Sequence, residues 1–197
     1  MSLTIFIIII TVVVSFLAFQ NPQLQSKLML YPIAMRHPNQ AYRLITSGFV
    51  HVDYVHLAFN MYAFYFFGEF AEFILGGPRF LMLYLTGIVV ANLPSYYKQM
   101  NNPGYAALGA SGGVAAVVFA FVYVAPWERI CLFVQLLCFP AILFAAAYLI
   151  YSYVMSRKPG QRIGHDAHFA GAVYGLIFML FVDPSHGLDF IQRILNP

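Results

Sequence analysis

Apolar residues in this chain gather into six long runs: Leu3–Phe19, Val55–Leu75, Phe80–Tyr97, Gly112–Val124, Ile130–Val154 and Phe169–Val182. Between them stand residues that break helices and make turns: Asn21-Pro22, Gly76-Gly77-Pro78, Asn101-Asn102-Pro103-Gly104, Pro126, Lys158-Pro159-Gly160 and Asp183-Pro184. No run alternates in the manner of a barrel strand, and an open sheet in lipid would leave backbone groups unpaired. The pattern therefore predicts six helices, over residues 3–19, 55–75, 80–97, 111–124, 130–154 and 167–182. The expected fold class is all-α, a polytopic membrane bundle forming one domain over residues 1–197 with no internal repeat.

Composition agrees with that pattern. Of 197 residues, 61% are apolar and 9% charged, and the mean hydropathy is +0.76. Soluble domains are nearer a quarter charged, and a core of this size cannot hide so much apolar surface from water. The bilayer must cover the rest. The net charge, 10 − 7 = +3, is too weak to imply nucleic acid as a partner. Met1-Ser2 offers neither a basic segment nor a small-x-small cleavage site, so 3–19 is expected to be a retained first membrane helix. The connection Gln20–Phe49 is too apolar for a solvated linker and too interrupted to span, which suits a partly structured interfacial loop. If 130–154 is one helix, Cys131 and Cys138 stand about 10 Å apart along its axis, too far for a disulfide.

The fourth run is too short to span. A crossing needs about 20 residues, whereas Gly112–Val124 offers 13. Ser111, at its start, must lie below the membrane surface, reached by a loop or a water-filled cavity. The second, fourth and sixth helices enter from the same side. Asn60 lies 16 residues before Gly76, Ser111 lies 15 before Pro126, and His168 lies 15 before Asp183. At 1.5 Å per residue all three sit about 22–24 Å from the far surface, inside a hydrocarbon core of about 30 Å. His56, one turn before Asn60 on the same face, lies slightly nearer the surface.

A hydroxyl, two imidazoles and a carboxamide at similar depth make the parts of an acyl-transfer site. A neutral imidazole at His168 can take the Ser111 proton. The helix start at Ser111 offers free N–H groups to an oxyanion, and Asn60 and His56 can add side-chain donors. Gly171 and Gly175 on the sixth helix, and Gly112, Ala115, Ala116 and Ala120 on the fourth, form small faces that allow close approach.

The same residues resemble a known family. Gly109-Ala110-Ser111-Gly112 resembles the rhomboid G-x-S-G box, and Ala167-His168 through Gly171 and Gly175 resembles its A-H-x-x-G-x-x-x-G helix. His56 through Asn60 resembles its H-x-x-x-N element, and Gly68, Glu72 and Gly76 its G-x-x-x-E-x-x-x-G stretch. The resemblance implies an intramembrane serine endopeptidase with a Ser111–His168 dyad and no acidic third residue. It implies an oxyanion hole from the Ser111 backbone, Asn60 and His56, no cofactor, and substrates cut at or near a transmembrane segment. Entry would be lateral, past the fifth helix and the loop before the fourth. It also implies a multi-pass protein of the bacterial cytoplasmic (inner) membrane, of bacterial six-helix type. Tyr42-Arg43 stands where a Trp-Arg pair is common. The aromatic that bacterial members carry four residues after the serine, stacked on the histidine, is Ala115 here, so Tyr174 or another ring must take its place.

Other readings compete. The alternative is a catalytically inactive rhomboid-like protein that binds membrane helices; Ser111 and His168 argue against it. A proton or ion pathway would use His56, His168 and Glu69. Glu69 and Glu72 read as helix-end anchors or partners of Arg79. His165-Asp166-Ala167-His168 lacks the third ligand a zinc site needs unless His51 or His56 supplies it, so no metal is expected. Seven of ten cations, at Lys27, Arg36, Arg43, Lys98, Arg157, Lys158 and Arg162, flank the Ser111 side, and three, at Arg79, Arg129 and Arg193, the other. The positive-inside rule would turn the Ser111 side inward; the resemblance implies that it faces away from the cytosol. The expected partners are membrane-protein substrates and the lipid bilayer; nothing in the sequence sets the oligomeric state.

Overall fold

The computed structural model describes residues 1–132, 137–157 and 164–195. Its helices are α1 (Leu3–Gln20), α2 (Pro22–Leu28), α3 (Arg43–Thr46), α4 (Tyr54–Leu75), α5 (Gly77–Gln99), α6 (Ser111–Val124), α7 (Ala141–Ser156), α8 (His165–Val182) and α9 (Ser185–Leu195). The architecture is the all-α membrane bundle that the hydropathy pattern implies. By length and composition α1, α5 and α8 can each cross a membrane, and α6 and α7 are shorter apolar helices. The predicted break at Lys158-Pro159-Gly160 lies outside the described residues.

Local chemistry sets the ends. Asp53 caps α4 by accepting from the His56 N–H at 2.7 Å. Gly76, at φ 73°, closes α4 in a conformation that an L side chain resists, and Pro78 opens α5 at once. Glu72 reaches from α4 to the first turn of α1, accepting from Leu3 N, Thr4 N and Thr4 Oγ1, each at 2.8 Å. Glu69 accepts from the Ser2 hydroxyl. Both acids therefore anchor the start of α1, where free N–H groups favour negative charge.

α6 is the centre of the bundle: every residue in it except Ser111, Phe121 and Val124 is buried. It packs on α4, α5 and α8. A Cβ at Gly171 would stand 2.1 Å from the Gly112 carbonyl oxygen, and one at Gly175 2.2 Å from that of Ala116. Bare backbone at both positions is what lets α8 lie against α6. On the α5 side, a Cβ at Gly112 would stand 2.4 Å from Ala91 Cβ.

Two expectations need correction. The run 130–154 is not one helix. It forms antiparallel strands β1 (Arg129–Leu132) and β2 (Leu137–Pro140), followed by α7. Pro140, with no N–H to give a helix interior and a fixed φ, stands at the N-cap of α7 and marks its true start. Short apolar runs do not distinguish strand from helix by pattern alone. Across the strands Cys131 opposes Cys138, and the two form a disulfide with Cα atoms 4.0 Å apart. The separation along a helix that excluded this bond never arises. Second, the chain does not end its regular structure at Asp183-Pro184. α9 follows, held to the bundle by Phe190 stacked on Tyr123 at 5.3 Å and by Trp127 Nε1 donating to the Arg193 carbonyl at 2.5 Å.

The first connection is structured throughout, by α2, α3 and three single 3₁₀ turns. Arg43 organises it. Its buried guanidinium donates to the Ser26 carbonyl at 2.7 Å, the Met29 carbonyl at 2.9 Å and Gln40 Oε1 at 2.9 Å.

Candidate active site

Ser111 is the first residue of α6, and fourteen residues at 1.5 Å make that helix about 21 Å long, shorter than the hydrocarbon core of about 30 Å. Its N-terminus starts inside the molecule, with Ala110, Gly112 and Gly113 buried. His168 lies one turn into α8, and its Nε2 is 2.7 Å from Ser111 Oγ. With the ring proton on Nδ1, Nε2 accepts the hydrogen bond from the serine hydroxyl, the geometry a general base requires.

The approach to Ser111 is non-helical backbone. Gly109, at φ 125°, makes the last sharp turn. A Cβ there would lie 2.5 Å from His56 Cε1, so the His56 ring is seated directly on this glycine. Asn60 is buried, and its amide donates to the His56 carbonyl at 2.9 Å. A planar amide has a second hydrogen to give. The Ser111 N–H has no acceptor among the described residues. Ser111, His168, His56 and Asn60 thus converge from α6, α8 and α4 on one end of the bundle.

Tyr148 of α7 stacks beside His168, 6.1 Å between centroids with the planes 26° apart, and the His165 ring stands edge-on to the same imidazole at 5.8 Å. Tyr174 is occupied elsewhere: its hydroxyl bonds Thr86 on α5 at 2.5 Å. Ala115 is buried, leaving α7 to supply the aromatic surface from across the bundle. Sequence reasoning left that position open because the stacking partner is distant in the chain. Among the described residues no cluster of three His, Cys, Asp or Glu side chains could hold a metal ion.

The chain matches the family model of the Rhomboid domain over residues 38–184. The chain belongs to the rhomboid family. It is 32% identical over 151 residues to the rhomboid protease GlpG of Haemophilus influenzae, covering 77% of this chain and 74% of that one. It is 28% identical over 160 residues to the mitochondrial presenilin-associated rhomboid-like protein A of Danio rerio, covering 78% of this chain and 39% of that one. Likeness to the rhomboid protease GluP of Bacillus subtilis is 28% over 155 residues, 79% of this chain and 29% of that protein. The chain spans about two fifths of the length of the presenilin-associated relatives it matches. The matches include mitochondrial as well as bacterial proteins, so membership supports an integral membrane protein and does not support the bacterial inner membrane.

Proposed function

We propose that this rhomboid is an intramembrane serine endopeptidase acting on transmembrane or juxtamembrane segments of membrane proteins. The observation that carries the reading is the 2.7 Å contact between His168 Nε2 and Ser111 Oγ. In the proposed reaction Ser111 Oγ attacks the scissile carbonyl carbon while His168 Nε2 takes the hydroxyl proton. The carbonyl oxygen becomes an oxyanion, stabilised by the Ser111 N–H and by donors from Asn60 and His56. His168 returns the proton to the departing amine as the C–N bond breaks, leaving an acyl-enzyme on Ser111. Water, deprotonated by the same imidazole, then releases the acid and restores the hydroxyl.

Access from the side suits the exposure of the helices. In α7 only Ala141, Ala145 and Ser152 are buried, so it is the span most easily drawn aside to admit a substrate segment. Substrate identity and entry between α7 and the loop before α6 belong to the proposal. The test is covalent labelling in liposomes by a fluorophosphonate, which reports an activated serine without needing a substrate. Wild type is expected to label, and Ser111→Ala and His168→Ala are not. A folded wild type that fails to label would support a helix-binding protein without protease activity.

A further inference from the structure

Residues 107–110 lead non-helical backbone from the half-buried Ala107 to the fully buried Ala110, where polar backbone groups need partners. The first connection supplies the partners. Ala107 and Leu30 exchange both hydrogen bonds, at 2.8 and 3.0 Å, and Gly109 N–H donates to the Ser47 carbonyl at 2.9 Å. The next N–H, that of Ala110, donates to a side chain: His51 Nε2, at 3.3 Å. His51 is fully buried, and Ser15 on α1 is fully buried beside it.

These contacts fix the histidine's tautomer. A nitrogen that accepts from an amide carries no proton, so the ring proton is on Nδ1. Nδ1 is 3.0 Å from Ser15 Oγ and donates to it. The Ser15 hydroxyl then donates onward to the Phe49 carbonyl at 3.0 Å. All four groups point one way: Ala110 N–H to His51, His51 to Ser15, Ser15 to Phe49. The His51 ring also stands edge-on to His56, 5.1 Å between centroids. Since His56 is seated on Gly109, His51 constrains the nucleophile's turn twice.

Resting on the protease reading above, we propose that His51 is a positioning residue. Locked by Ser15, it holds the Ala110 amide so that Ser111 Oγ faces His168 and the Ser111 N–H is left for the oxyanion. α1, through Ser15, thereby takes part in aligning the nucleophile. A protonated ring could not accept from Ala110; burial, and then His56, push the His51 imidazole down to about 3 against the pull of Asp53, so it stays neutral.

The test is the kinetics of fluorophosphonate labelling of the full chain in liposomes, with the endpoint counting folded, reactive sites. His51→Phe keeps the ring and removes the acceptor; His51→Gln keeps an acceptor and a donor at similar reach. The expected result for His51→Phe is the wild-type endpoint, an unchanged half-saturating probe concentration, and a maximal labelling rate lower by about 30-fold, the scale of a sub-ångström misalignment. His51→Gln should recover to within about threefold of wild type, and Ser15→Ala should lose about fivefold, because neutral His51 can then turn or change tautomer. A purely structural role would lower the endpoint and leave the rate per site unchanged. Wild-type rates in both His51→Phe and Ser15→Ala, or a His51→Gln as slow as His51→Phe, would overturn the proposal while leaving the protease reading intact. If His51→Phe does not fold, an unchanged rate in Ser15→Ala overturns it alone. A folded wild type that does not label overturns both readings.

Discussion

At the scale of single residues, two features around the dyad are open to substitution. Tyr148 flanks His168 through its ring, not through its hydroxyl, which makes no hydrogen bond among the described residues. Tyr148→Phe should therefore keep the labelling rate, whereas Tyr148→Ala should slow it by roughly three- to tenfold, the equivalent of an aromatic contact of about 0.5–1.5 kcal/mol. Gly171 and Gly175 are the second feature. An added methyl at either would meet a backbone carbonyl of α6 at 2.1 or 2.2 Å, and a carbonyl cannot turn aside as a side chain can. Gly171→Ala and Gly175→Ala should each destabilise by about 1–3 kcal/mol or more. Gly171→Ala, one turn from His168, should also stop labelling in the protein that remains folded. Thermal unfolding in detergent, read beside labelling, separates the two effects.

At the scale of elements, the sequence was most legible where chemistry and period coincide. Gly109 through Gly112 and Ala167 through Gly175 carry the serine, the histidine and the small faces in local motifs. The short fourth run announced a helix that starts inside the molecule. Tyr148, His51 and Ser15 were not legible as site residues. Their contacts join residues 20 to 59 positions apart, and a tyrosine or serine in an apolar helix looks the same whether or not it meets the site. The run 130–154 is ambiguous because its apolar residues fit a strand as well as a helix, and Pro140 inside it is the residue that marks the boundary. α9 had a readable pattern, with Leu188, Ile191 and Leu195 exposed along one side of an eleven-residue helix. The Asp183-Pro184 break hid it. The strand pair gives a test of independence between ends. It begins beyond the C-terminus of α6, about 21 Å from Ser111 along that helix. Replacing Cys131 and Cys138 by serine should lower stability by about 2 kcal/mol and leave the labelling rate unchanged; a slowed rate would mean that the strands communicate with the dyad.

At the scale of the molecule, α6 is held on three sides by helices and at its start by the first connection. The bundle brings Ser111 and His168 together although they stand 57 positions apart in the chain. Close packing through Gly112, Gly171 and Gly175 allows the short distance, and in the proposal above the ladder from Leu30, Ser47 and His51 sets the direction. In the proposed reading this arrangement leaves a weak nucleophile, Ser111, with its base, His168, already in hydrogen-bond contact. The central claim is that Ser111 is an activated nucleophile and His168 its base. The most direct measurement is fluorophosphonate labelling of the purified chain in liposomes, with the modified residue mapped by mass spectrometry. The account predicts one adduct, on Ser111, that is lost in both Ser111→Ala and His168→Ala. Labelling that persists in folded His168→Ala at the wild-type rate, or no labelling of folded wild type, would contradict it.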